Sequence, residues 1–179
     1  KLTLTALFGL VVTALFLLVV VLAPWVAPFG EAETVGGTWD QASAAHWLGT
    51  DQIGRDMFTR ILYGTRMTIA VAFAITLMSF FIGIVIGFTS AVLGGWVDTF
   101  FSRLVDVMLS IPSLIFALII LGVFGSSIPV LILTIAVLDA TRVFRLSRAL
   151  GMNLTVMEYV EAAKLRGEGL WWVITREIL

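Results

Sequence analysis

The 179-residue chain contains no cysteine and a single histidine, His46. Without cysteine there is no disulfide and no thiolate metal site, and one histidine cannot form a multi-histidine metal centre. Charged residues make up 13% of the chain, whereas a soluble domain carries about 25%. The formal net charge of −1 provides no basic surface for nucleic acid. We therefore expect no metal site and no nucleic-acid partner.

Common enzyme motifs are also missing from the sequence. It contains no GxxxxGK[ST] phosphate loop, no GxSxG nucleophile turn and no HExxH zinc motif. The carboxylates are scattered, and none is paired with a second acid inside an apolar run. We predict that the chain is not an enzyme and holds no cofactor of its own, so any ATP that drives it is hydrolysed by a partner.

Apolar residues dominate what remains. They make up 60% of the chain, with a mean hydropathy of +1.07, and they occur in long runs. About 20 helical residues cross the roughly 30 Å core of a bilayer. The sequence therefore predicts an all-α fold, a polytopic membrane helical bundle with four spans at residues 2–23, 67–93, 100–123 and 128–147. A cleaved signal peptide is the alternative for the first run, although that run is longer than the roughly 7–15 residues of a signal core.

Three features inside the predicted spans suggest packing or function. Small residues recur every fourth position in the second span and predict close helix packing or, alternatively, a pore-lining stripe: Ser79, Gly83, Gly87 and Ala91. Pro112 predicts a kink in the third span, which serves either packing or gating. Asp139 and Arg142 lie three residues apart in the fourth span, where charges indicate either function or a simple ion pair.

A polar segment, residues 24–66, separates the first two spans. Its prolines and glycines break helices early. Apolar residues at helical spacing then predict a short interfacial helix over residues 51–63, capped by Thr50 or Asp51. Six basic residues favour a cytoplasmic location for the C-terminal part of the chain, which leaves residues 24–66 outside: Arg142, Arg145, Arg148, Lys164, Arg166 and Arg176.

Two motifs resemble those of a known family. The run HWLGTDQIGRD at residues 46–56 is similar to the LGTDxxGRDxxxRxxxGxR signature of ABC importer permeases of the dipeptide, oligopeptide and nickel branch, specifically the second (C-type) permease. The run EYVEAA at residues 158–163 resembles the EAA coupling loop of the same family. The signature residues are Gly49, Asp51, Gly54, Arg55, Asp56, Arg60, Gly64 and Arg66, and the coupling-loop residues are Glu158, Glu161, Ala162, Ala163 and Gly167.

The resemblance implies the bundle of a type I ABC importer permease. Residues 1–66 would supply the first transmembrane helix and an extracytoplasmic segment. Residues 67–179 would supply a permease core with three spans and the coupling loop, with further spans expected after Leu179. The implied function is a permease subunit of an ATP-driven importer for di- or oligopeptides, multi-pass in a prokaryotic inner membrane.

The resemblance also implies the partners and a mechanism. Cytoplasmic ATPase subunits would bind ATP and Mg²⁺, beside a homologous second permease, an extracytoplasmic substrate-binding protein and membrane lipid. The helix around Glu161 would lie in a groove of the ATPase, kept thin by Ala162 and Ala163 and reversed at Gly167. The signature segment is expected either to lie near the docking surface of the binding protein or only to fix the first span.

The sequence departs from the family pattern at two places. Glu168 and Gly169 follow the coupling glycine where many relatives have small residues, and Asp139 stands where relatives often have an aromatic residue. A secondary transporter or channel working alone, and a membrane scaffold, are the alternative functions. Dipeptides, longer peptides, nickel chelates and glutathione-like compounds all stay open as substrates.

Overall fold

The computed structural model describes residues 3–155, Met157, Arg166 and Gly167. Within these residues the chain forms five helices, and its only extended pairings are two isolated bridges, Thr34 with Arg55 and Thr50 with Asp56. The all-α prediction is confirmed. The helices are α1 (Leu4–Val26), α2 (Met57–Leu93), α3 (Gly95–Ser110), α4 (Ser113–Phe124) and α5 (Ile128–Thr155).

Helix α1 begins at a threonine cap and continues past a proline. The Oγ1 of Thr3 accepts a hydrogen bond from the Ala6 N–H at 3.3 Å. The sequence predicted a helix end before Pro24, but α1 continues to Val26. Because proline removes only its own N–H bond, the ladder resumes after it, and the Ala27 N–H donates to the Ala23 carbonyl at 2.9 Å.

Helix α2 corrects the predicted interfacial helix. Residues 51–56 form turns, and the helix begins at Met57 and runs unbroken for 37 residues. The separate helix over residues 51–63 and the cap at Thr50 or Asp51 were therefore wrong. Gly54, at a φ of 77°, is in the left-handed region, which a right-handed helix cannot include. The Asp56 carboxylate caps the helix instead.

Helices α3 and α4 are two arms of one bent segment. Their axes differ by 92° across a break at Ile111 and Pro112. The kink predicted at Pro112 is thus a full break. Ile111 is extended, with φ −92° and ψ 127°, because the ring of a following proline disfavours the helical conformation.

The helices differ in their capacity to span a bilayer. By length and composition, α1 and α2 can each cross a membrane, and the bent pair α3 and α4 adds a third span if it counts as one. Helix α5 covers the predicted fourth span but is not among the described helices that meet this criterion. It also continues to Thr155, so the turn predicted at residues 151–155 was wrong.

Contacts divide the chain into two compact units, residues 1–72 and 73–179. In the first, the most buried side chains around the start of α2 are polar, among them Thr50, Asp51, Asp56 and Thr59. In the second, the described core contains Phe88, Val105, Ala136, Ala140 and Phe144, and both α3 and α4 contact α5. The boundary predicted between residues 66 and 67 separates functional regions and not contact-defined units, so it stays a prediction.

Candidate functional site

Asp51 is the centre of the polar network in the first unit. Its Oδ1 accepts hydrogen bonds from the backbone N–H groups of Ile53 at 2.9 Å and Arg55 at 3.0 Å. Its Oδ2 accepts the Nε of Arg55 at 2.9 Å and the Nη1 of Arg60 at 2.7 Å. The residue is only 4% exposed. An ionised carboxylate this buried is stable only with such partners, and here both oxygens have two.

These partners determine the charge state of Asp51. Burial alone raises the pKa of the carboxyl group, because it disfavours the charged form. Hydrogen bonds from the backbone of Arg55 and Ile53, together with the Arg55 guanidinium, outweigh burial and hold the pKa well below its usual range. Asp51 is therefore an anion at every physiological pH.

Asp56 connects the network to the start of α2. Its Oδ2 accepts the Thr59 N–H at 2.8 Å, an N-cap hydrogen bond, and its Oδ1 lies 3.2 Å from the His46 Nδ1. Burial raises the pKa of Asp56, but the hydrogen bonds from Thr59 and His46 lower it further than burial raises it. The carboxylate thus holds one N–H at the helix start and one side chain from the preceding loop.

Two glycines of the signature have conformations that require glycine. Gly49 and Gly54 have φ values of 74° and 77°, in the left-handed region. A Cβ at Gly49 would collide with the Asp40 carbonyl, and one at Gly54 would collide with the Gly36 carbonyl. The Gly54 carbonyl also accepts the N–H groups of Val35 at 2.8 Å and Gly36 at 3.1 Å. These two glycines let the loop of residues 34–40 close against the signature.

Thr50, for which the sequence predicted only a role as a helix cap, belongs to the network. Its Oγ1 donates to the Gly37 carbonyl at 2.6 Å and accepts the Asp40 N–H at 2.8 Å, and the residue is 3% exposed. The adjacent glycines Gly36 and Gly37 could have indicated this contact from the sequence, since adjacent glycines permit close backbone approach. We call the seven residues that close this loop the signature cluster: Gly49, Thr50, Asp51, Gly54, Arg55, Asp56 and Arg60.

Two predicted signature residues lie outside the cluster. Gly64 and Arg66 are exposed on α2, and a Cβ at Gly64 would have no atom within 4 Å. The structure therefore brings together six of the eight signature residues that the sequence predicted. Arg55 forms an ion pair with Asp51, and Asp56 contacts the His46 ring.

The coupling-loop prediction falls mostly where the structure gives no description. Glu158, Glu161, Ala162 and Ala163 lie outside the described residues. Gly167 is described, and its φ of 78° is in the left-handed region. That conformation suits the chain reversal expected there, because glycine adopts it without a steric penalty.

The small-residue stripe of α2 packs against α5 in the second unit. A Cβ at Gly83 would lie 2.5 Å from the Val143 Cβ, and one at Gly87 would lie 2.8 Å from the Ser147 Cβ. Gly151, further along α5, has the Ala91 Cβ 2.7 Å from the corresponding position. The packing interpretation of the stripe is confirmed, and the two backbones approach too closely at these positions for larger residues.

The sequence did not predict the ion pair between α3 and α5. Arg148 binds Asp98 through two hydrogen bonds, Nε to Oδ1 and Nη2 to Oδ2, the second at 2.5 Å. Fifty residues separate the two. No local spacing rule connects positions so distant, and only the tertiary packing brings them together.

The break between α3 and α4 borders a cleft in the second unit. The cleft has a volume of about 360 Å³ and is lined by the break, by the start of α4 and by one face of α5. Asp139 and Arg142 both line it, with Oδ1 and Nη1 3.7 Å apart. The predicted ion pair is thus present, but it is long. Within the described ranges, no three potential metal ligands cluster.

Two protein families match parts of this chain. Residues 83–179 match the family described as the inner membrane component of binding-protein-dependent transport systems. The chain belongs to this family. Residues 5–44 also match the N-terminal transmembrane domain of oligopeptide transport permease C. The predicted resemblance is confirmed, and with it the location in a bacterial inner membrane.

Relatives within this permease family transport several kinds of solute, according to their names. The dipeptide transport system permease protein of Haemophilus influenzae is 37% identical over 92% of this chain. A probable D,D-dipeptide transport system permease protein of Escherichia coli K12 is 35% identical over 94% of it. The nickel transport system permease protein of the same organism is 32% identical over 90%. The chain spans 57–58% of the length of these relatives.

Proposed function

We propose that this chain is part of the permease subunit of an ATP-driven importer of di- or oligopeptides. The observation that carries the proposal is the family match over residues 83–179, because that family serves binding-protein-dependent transport. Two of the relatives above are named for dipeptide transport, which favours a peptide over nickel. In this proposal the chain forms one side of a path that opens alternately to each face of the membrane.

The proposal assigns ATP hydrolysis to a partner. Cytoplasmic ATPase subunits bind ATP and Mg²⁺, a homologous second permease completes the path, and an extracytoplasmic protein delivers the peptide. The sequence supports this division of labour, because it has no phosphate loop of its own. Closure of the ATPase dimer then drives the permease through the coupling loop.

The coupling loop is assigned to residues 158–167. Glu161 pairs with a basic group of the ATPase, while Ala162 and Ala163 keep the helix thin enough to enter a groove. Gly167 supports a chain reversal after this helix, because its φ of 78° is open to glycine at no steric cost. Motion of the ATPase is transmitted to the spans through this segment.

The signature cluster has a positioning role in the proposed function. The carboxylates of Asp51 and Asp56 are buried and bonded within the loop, so neither is available to an incoming protein. Arg66 is exposed on α2 beyond the cluster, and the proposal assigns it to contact with the binding protein. The cluster thus fixes the loop against the start of α2, the helix that carries Arg66.

One observation favours a second candidate, a secondary transporter that works alone. Such transporters place charges and interrupted helices around a substrate site, as the Asp139–Arg142 pair and the 92° break do here. The two candidates differ in their partners, since only the importer associates with an ATPase.

Co-purification of the full-length protein from its native membranes tests the proposal. We expect an ATPase pair and a second permease to accompany the wild type in mild detergent. Glu161→Arg and Gly167→Pro should abolish ATPase association while membrane insertion stays normal. Glu31→Arg, the same charge reversal on an exposed loop residue, is the matched control and should retain the ATPase.

Two outcomes would contradict these assignments. If both coupling-loop variants still retain the ATPase, the coupling loop lies elsewhere. If the wild type purifies alone or as a homo-oligomer, the importer assignment fails and the secondary transporter is favoured.

A further inference from the structure

The cleft beside the helix break has the size and the location of a small-molecule site. Its volume of about 360 Å³ falls within the roughly 300–1,000 Å³ of ligand pockets. The break places an extended Ile111 and the α4 N-cap, Pro112, at the edge of the cleft. Non-helical backbone at membrane depth is tolerated where it is covered by protein or lines a wet cavity. Both residues of the break line the cleft.

The two charged side chains in the cleft use little of their hydrogen-bonding capacity. The Asp139 Oδ1 and Arg142 Nη1 are 3.7 Å apart, and their side chains are 46% and 74% exposed. In the described part of the chain, neither side chain has another hydrogen bond or ion pair. A carboxylate accepts about four hydrogen bonds and a guanidinium donates five. Both groups therefore keep most of their bonding capacity for a ligand.

The arrangement of these charges selects a class of ligand. A carboxylate and a guanidinium side by side complement an ammonium and a carboxylate in one small molecule. A ligand with a single charge can form charge-assisted hydrogen bonds with only one of the two protein groups, whereas a zwitterion can form them with both. Leu109, Ile111 and Leu138 give the cleft apolar walls for the body of the ligand.

We propose that the cleft between the α3–α4 break and α5 transiently binds the charged termini of a short zwitterionic peptide. Asp139 holds the ammonium group, and Arg142 holds the carboxylate. The proposal rests on the peptide-import function above and assigns residues of the translocation path to it. The ligand is a small peptide rather than a second protein, since the paired opposite charges match the two ends of one small molecule.

Protection of an introduced cysteine tests the site, because the chain has no cysteine of its own. Ser113→Cys places a thiol in the cleft, at an exposed position and with little change in volume. Ser126→Cys, in the exposed turn before α5 and outside the cleft, is the matched control. The full-length protein, assembled with its partner subunits in membrane vesicles, is labelled with a maleimide, and the label on this subunit is followed by mass.

The expected result is selective protection. Glycyl-phenylalanine at ten times its Kd should slow labelling of Ser113→Cys by roughly tenfold, by mass action. The same peptide with an acetylated amine and an amidated carboxyl should not slow it, and labelling of Ser126→Cys should not respond to either. Adding Asp139→Asn should raise the peptide concentration for half-protection by roughly tenfold. Adding Arg145→Gln, on α5 but outside the cleft, should leave it unchanged.

Uptake of radiolabelled glycyl-phenylalanine by the same vesicles, with ATP and the binding protein, separates the two proposals. Uptake without protection overturns the cleft site and leaves the importer function in place. Protection without uptake supports the site and contradicts the importer function, and the absence of both overturns both. Equal protection by the blocked peptide, or a thiol that the second permease shields from maleimide in every condition, also overturns the site.

Discussion

Two of the Asp–Arg pairs, Asp51–Arg55 in the first unit and Asp139–Arg142 in the second, show how the surroundings decide what the same two residue types do. In the signature cluster, Asp51 receives four hydrogen bonds and is 4% exposed. In the cleft, the pair of Asp139 and Arg142 spans 3.7 Å, and both side chains remain open. The first pair fixes a loop, because the hydrogen-bonding capacity of its carboxylate is fully used within the protein. The second is available to a ligand because its capacity is not.

The largest effect is expected from a substitution in the signature cluster. Gly54→Ala should destabilise the full-length protein by about 2–4 kcal/mol, because alanine is strained at a φ of 77° and its Cβ meets the Gly36 carbonyl. The measurement is thermal unfolding in detergent. Gly64→Ala, at an open helical position in the same signature, should instead stabilise α2 by about 1 kcal/mol. Equal stability of the two variants would refute the packing role of Gly54.

The next effect concerns the close packing of α2 on α5. Gly83→Ala places a Cβ 2.5 Å from that of Val143. Overpacking of about 1–3 kcal/mol is offset by about 1 kcal/mol of helix propensity, so a net loss of up to about 2 kcal/mol is expected. Gly122→Ala, in open space on α4, should show only the gain. If both variants melt alike, α2 and α5 do not approach as described.

Low pH tests whether the hydrogen-bonded carboxylates of the signature cluster stabilise the fold. Asp51 and Asp56 both have folded-state pKa values below the ordinary value of about 3.9. Their contribution is therefore complete above pH 4 and is lost as the pH falls from about 4 toward the folded-state values. Unfolding followed from pH 6 to pH 3 measures this loss. Asp56→Asn should flatten the profile, and an unchanged profile would show that Asp56 does not contribute.

The smallest effect on stability is expected in the cleft. Asp139→Asn should change the free energy of unfolding by less than about 1 kcal/mol, because both partners are exposed and far apart. The same thermal assay as for Gly54→Ala measures it. A loss as large as that of Gly54→Ala would mean that Asp139 supports the fold rather than a ligand.

Local patterns predicted the features that depend on local geometry. The four-residue repeat from Ser79 to Ala91 predicted close packing, because residues so spaced share one face of a helix. Pro112 predicted the interruption between α3 and α4, and the spacing of Asp139 and Arg142 predicted their ion pair. Each of these follows from covalent geometry within a few residues.

The sequence did not predict features that depend on competition between local conformations or on contacts between residues far apart in the chain. Apolar spacing favoured a helix from Asp51, yet the Asp51 carboxylate binds the N–H groups of Ile53 and Arg55, and this local alternative prevents the helix. The pair of Asp98 and Arg148 joins positions fifty residues apart. Gly151 favoured a turn, but its missing side chain serves contact with Ala91 instead.

The glycine contacts between α2 and α5 also have an entropic consequence. Side chains with several rotamers lose conformational freedom when two helices meet, whereas glycine and alanine lose none. At Gly83, Gly87 and Gly151, one side of each contact therefore has no rotamers to order. Packing of the two helices at these positions therefore costs less side-chain entropy than it would with larger residues on both sides.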